Sequence, residues 1–168
     1  VRIAEKLFDE DRLRLTTIEP SYAFDWQNRL AMVSALSQLF DPSPAQARVM
    51  GRESAQLRTR ARDVLNIALN DDPSLLVRDG AVESIRRIVR MRPADGRLWK
   101  NPLESAFLDS RNHIEGEGLF IRETILTALH EAAITPSKRV KKVAERDLNP
   151  QVRDLLKSWR TSAYDDIE

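Results

Sequence analysis

The chain has 168 residues, 42% apolar and 32% charged, which fits one globular domain able to bury a core and excludes a disordered tail, a collagen and a disulfide miniprotein. Lysine plus arginine number 27 against 26 aspartate plus glutamate, so no overall field marks a nucleic-acid or membrane binder. With no cysteine, a zinc-thiolate site, a redox pair and a thiol nucleophile are excluded, and the compartment cannot be read from disulfides.

In chain order, apolar residues recur at three and four, and prolines mark most of the breaks. The pattern predicts an all-helical chain with helices at about 2 to 15, 25 to 40, 44 to 70, 74 to 92, 102 to 110, 118 to 134, 136 to 147 and 150 to 160. Gly51 marks a place where the third can break. The end, through Tyr164, Asp165, Asp166, Ile167 and Glu168, reads as an acidic tail after a domain of residues 1–160. No apolar run reaches the roughly 18 residues that span a bilayer, and nothing resembles a signal peptide. A soluble chain is expected, with cytoplasm and an exported mature form both open. The start at Val1 rather than Met leaves a lost leader or a flanking domain open as well.

Four arginines superimpose as an internal repeat. Arg29, Arg78, Arg122 and Arg153 each open a run of small and aliphatic residues; Val77, Ile121 and Val152 precede the last three, and the spacings are 49, 44 and 31. Asp72 and Asp147 stand six residues before Arg78 and Arg153, in Asp72-Pro73-Ser74-Leu75-Leu76-Val77-Arg78 and Asp147-Leu148-Asn149-Pro150-Gln151-Val152-Arg153. The third copy, Gly116 to Arg122, has neither Asp nor Pro. These residues resemble the HEAT family of helical repeats (the armadillo/HEAT superfamily), in which an Asp, a Pro-containing turn and Val-Arg join two helices of a hairpin. The resemblance implies a right-handed α-α superhelix, here a short solenoid of about four hairpins at 1–41, 42–92, 93–135 and 136–160. It also implies a structural ladder of Asp72, Arg78, Arg122, Asp147 and Arg153, each Asp bonding an arginine of its own or the neighbouring repeat. Helical geometry agrees that these arginines are not free: with Val77 at zero, Ala81, Ile85, Ile88 and Val89 fall at about 20° to 120°, and Arg78 falls among them at about 100°. A charge at that edge needs a partner. An anion-binding role for the arginines is the alternative.

The resemblance implies that the second helices line the concave wall. Its polar positions are Gln27, Ser34, Ser37 and Gln38, then Asp79, Glu83, Arg86, Arg87 and Arg90, then Glu123, Thr127, His130 and Glu131, then Asp154 and Ser158. Both signs of charge occur, which suits a protein or peptide partner held by Arg86, Arg87 and Arg90; a solvated face with Glu83 paired to Arg87 is the plainer reading. Charge is uneven, because residues 85–160 carry 16 basic against 10 acidic side chains. Lys138, Arg139, Lys142 and Arg146 form a basic strip on one helix, suited to an anionic partner or only to solubility. Nucleic acid is the second partner class, since some proteins built from similar repeats are DNA glycosylases; Trp26, Trp99 and Trp159 supply aromatics, and Trp99 is open between core and contact. Self-association or a neighbouring domain would cover uncapped ends. The stretch His113, Glu115 and Glu117 reads as a polar loop rather than a metal site, and no motif calls for a cofactor or for catalysis.

Overall fold

The computed structural model describes residues 26–42, 51–113 and 117–162, together with residues 44 and 48. The helix expected at 2 to 15 and the acidic tail from 163 onward lie outside the described residues, as do Glu115 and the side chains of Glu117 and Ser158. Among the described residues the protein is all-helical. The helices are α1 Trp26–Leu36, α2 Ser54–Asn70, α3 Leu75–Met91, α4 Lys100–Leu108, α5 Glu117–Glu131, α6 Lys138–Ala144 and α7 Pro150–Ser162. No described helix is long and apolar enough to cross a membrane.

Local signals place the ends. The expected break at Gly51 is real: Gly51 takes φ 50°, and a 3-10 turn over Gly51–Glu53 leads into α2. The Ser137 hydroxyl accepts from Val140 N to cap α6, and Pro150 opens α7, where its missing N–H costs nothing. Helix α5 ends in a Schellman arrangement, with Ala133 N donating to His130 O and Ile134 N to Leu129 O, both at 2.9 Å. That motif puts Ala133 at φ 53°.

The helices form two layers. Helices α1, α3, α5 and α7 pack side by side in chain order, α2, α4 and α6 form the facing row, and α2–α3, α4–α5 and α6–α7 are neighbours joined by turns. The apolar stripes predicted from the periodicity close between the layers: Val77, Ala81, Ile85, Ile88 and Val89 of α3 are fully buried with Leu65 and Leu69 of α2 and Ile121, Ile125 and Leu129 of α5. Gly80 lets α1 approach α3, since a Cβ there would strike the Leu30 side chain. Beside it Ser84 Oγ donates to Val33 O at 3.0 Å, so this tight crossing is also fixed by a buried hydrogen bond.

The stretch before α4 is ordered rather than open loop, a 3-10 segment over Pro93–Trp99. Trp99 is fully buried, its ring 6.5 Å from that of Phe40, so it plugs the gap between helix pairs rather than projecting.

Candidate functional site

Three of the repeated arginines, Arg29, Arg78 and Arg122, are buried and reach forward to the next turn, whereas Arg153 is half-buried. Arg29 of α1 donates from Nε and Nη2 to the two carboxylate oxygens of Asp72, at 2.6 and 3.1 Å. Arg122 of α5 donates from Nη2 to Asp147 Oδ1 at 3.0 Å. Each Asp also organises its own turn, Asp72 Oδ1 accepting from Ser74 N at 2.8 Å and Asp147 Oδ1 from Asn149 N at 2.9 Å. The arginine that follows reaches back: Arg78 Nη1 donates to the carbonyls of Asp72 and Pro73 at 2.8 and 3.0 Å, and Arg153 Nη1 to those of Asp147 and Leu148. Each of these turns is thus held by one arginine from the preceding helix of the layer and one from its own.

The third turn has no acid, as the sequence shows, and an amide stands in for it. Asn112, fully buried, takes that place: its Oδ1 accepts from Arg78 Nε at 3.0 Å and its amide donates to Ala106 O at 2.9 Å. It stands ten residues before Arg122 instead of six, so the spacing that reveals Asp72 and Asp147 hides it. Burial pushes the Arg78 guanidinium down, nearby Arg111 adds to this, and Asp109 and Asp72 oppose it; burial likewise lowers Arg122 against the pull of Asp147. Both stay cationic at neutral pH, as arginine does.

The charged residues expected on the second-helix wall come together across α3 and α5. Glu131 is clamped by two arginines: Arg86 Nε and Nη2 donate to it at 2.9 and 3.0 Å, and Arg90 Nε donates at 2.8 Å, with Arg90 Nη2 also engaged. Glu83 pairs with Arg86 at 3.3 Å, and not with Arg87 as the i,i+4 spacing suggests. Burial raises the Glu131 carboxyl, and the hydrogen bonds from Arg86 and Arg90 outweigh it, holding it down to about 2. Arg87 is exposed and meets no carboxylate among the described residues. Asp79, half-buried, is pushed up by burial and by Glu83.

Further along the wall, Glu123 accepts from the Asn149 amide at 3.4 Å and, with the Gln151 amide oriented to satisfy both its ends, from Gln151 at 3.1 Å. Thr127 bonds back to Glu123 O at 2.9 Å, so its hydroxyl is spent on its own helix. The His130 ring lies edge-on to Trp159 at 5.0 Å, a contact between α5 and α7 that the sequence does not announce.

The basic strip divides. Arg139 rims an open pocket of about 610 Å³ between α4 and α6 with Glu104, Asp109 and Asp71, whereas Lys142 and Arg146 line another of about 350 Å³ with Arg122, Asp147 and the exposed Leu148. Lys138, Arg139, Lys142 and Arg146 are exposed and have no ion-pair partner among the described residues. His113 gives its Nε2 to the Phe107 carbonyl at 2.7 Å, and no group of metal-binding side chains occurs among the described residues. No family model, curated protein or solved structure matches this chain.

Proposed function

We propose that this chain is a HEAT-like right-handed α-α superhelix, a short armadillo-type solenoid, that acts without catalysis by holding a protein or peptide on its second-helix wall. The arginine that reaches the next turn at Asp72, Asn112 and Asp147 supports the repeat reading, because one interaction recurs at successive helix pairs. The observation that carries the binding reading is the mixed-charge patch of α3 and α5. Arg86, Arg90 and Glu131 are locked into a rigid platform, and Arg87 and Glu83 project from it. A partner meeting such a platform loses little side-chain entropy. Asp79, Glu123, Thr127 and His130 extend the same wall.

Because Arg86 and Arg90 neutralise Glu131, removing them would test the fold as much as the site. Arg87→Glu leaves the clamp in place, Glu83→Lys gives up only the 3.3 Å pair to Arg86, and both reverse exposed charges. Capture from the native extract at low and moderate salt is expected to recover a defined protein with the wild type and to lose about tenfold or more with either reversal. Equal recovery by both variants would remove the wall as the site.

The second reading, a nucleic-acid binder using Lys138, Arg139, Lys142 and Arg146, is favoured by one observation, the lack of ion-pair partners for these four among the described residues. Its affinity would fall with salt at a log-log slope of about −0.9 per phosphate contacted. The buried Trp99 is not available to stack on a base.

A further inference from the structure

The α3–α5 wall carries its charges in a fixed order. Asp79, Glu83 and Arg87 stand at successive i,i+4 positions, one ridge of α3 that spans about 12 Å at a rise of about 1.5 Å per residue. Glu123 holds on α5 the place that Asp79 holds on α3, directly after the ladder arginine. Carboxylates thus lie towards the start of both helices and Arg87 towards the end of one. The helix dipole does not account for this order, because its effect fades within the first turn, whereas Asp79 is the fifth residue of α3 and Glu123 the seventh of α5.

Pairing within the chain satisfies the clamp and leaves the rest of the ridge unmatched. Arg86 spends Nε and Nη2 on Glu131, so Glu83 keeps only the 3.3 Å bond from Arg86 Nη1. Asp79 is half-buried and has no hydrogen bond or ion pair among the described residues. Burial and the charge of Glu83, one turn away, both push its carboxyl up, so no cation offsets it. Glu123 accepts only from the neutral amides of Asn149 and Gln151. At the other end of the ridge the exposed Arg87 meets no carboxylate among the described residues, and eight residues of helix keep it from Asp79.

We infer that the wall takes an extended peptide segment of complementary charge order, with basic side chains over Asp79 and Glu83 and an acidic side chain over Arg87. Alternate residues of an extended chain lie on one side about 6.6 Å apart, close to the spacing of about 6 Å between successive ridge positions. A segment with Lys or Arg at its first and third residues and Asp or Glu at its fifth therefore follows the ridge. Glu123, on the neighbouring helix, adds negative charge beside the first basic position. A cation seated there offsets the like charges of Asp79 and Glu83 at i,i+4, and opposite charges in register fix the partner's placement more than its raw affinity. This partner chemistry rests on the α3–α5 wall being the binding face.

The probes are two acetylated, amidated pentapeptides of one composition: Lys-Ser-Lys-Ser-Glu, in the matching order, and Lys-Ser-Glu-Ser-Lys, which matches in neither chain direction. The side-chain carboxyl carbon signals of the 13C-labelled full chain are followed during titration at constant ionic strength, with Asp79→Asn and Glu83→Gln identifying the two of interest. The matching peptide is expected to move both signals saturably and to lower the titration midpoint of Asp79, and the other peptide to bind about tenfold more weakly. Arg87→Gln alters only an exposed side chain and, with unchanged far-ultraviolet dichroism, is expected to weaken the matching peptide about fivefold. Equal binding of the two peptides, no saturable shift with the matching one, or an unchanged affinity in Arg87→Gln overturns the charge order. The wall itself stands or falls separately, on whether Arg87→Glu and Glu83→Lys lose the protein captured from the native extract.

Discussion

Ala133 holds a backbone conformation that costs an L-residue about 1 to 2 kcal/mol, and it does so because α5 must end there for Ile134 to turn inward. Ala133→Gly removes that strain and loses some unfolded-state order, so a net gain of about 0.5 to 1 kcal/mol is expected in urea unfolding, with m unchanged. At Asn112 the direction reverses. Asn112→Ala strands the Arg78 Nε and the Ala106 carbonyl in the core, and a loss of about 2 to 3 kcal/mol is expected in the same experiment. The two aspartates of this role are legible in the sequence because they keep a fixed distance to their arginine, and Asn112 is not because its turn is longer.

Among the elements, helix identity and order are readable from periodicity and proline placement, and α3 shows why: with one continuous apolar sector, its ends were bounded by Pro73 and Pro93. The pairing between helices is not readable in the same way. Glu131 lies 45 residues from Arg86, and no local pattern announces that the two meet. That clamp joins α3 to α5 and gives the pair a pH dependence. Its carboxyl is lowered from the ordinary value of 4.5 to about 2, so the stabilisation is fully present above pH 4.5 and is lost as pH falls towards 2. The cluster is partly exposed, and Glu131→Gln is therefore expected to cost only about 1 kcal/mol at pH 7. The gap between wild type and variant, measured by urea unfolding across pH 7 to 2, is expected to close below pH 4.5; a constant gap would mean that the carboxylate charge plays no part in joining α3 to α5.

For the whole molecule, the buried ion pairs act less as a source of net stability than as a register. Two charges taken from water recover little more than their desolvation, but either one left alone inside the core is strongly unfavourable. A helix pair slid by one turn against its neighbour would separate Arg29 from Asp72 and Arg122 from Asp147, leaving all four charges buried without a counter-charge. The apolar stripes alone do not provide this, since one aliphatic ridge packs against another in several registers. A wall of second helices held in fixed register is what allows Arg87 and Glu83 to project from a rigid surface. The most direct measurement is a double-mutant cycle in urea on Arg29→Met and Asp72→Ala, at the pair that joins α1 to the α2–α3 turn. Each single change is expected to cost about 3 to 5 kcal/mol because it strands a buried charge, and the double variant to cost less than the sum by about 2 kcal/mol or more. Additive costs, agreeing within about 0.5 kcal/mol, would show that the two residues do not depend on each other and would contradict the ladder as the device that sets the stack.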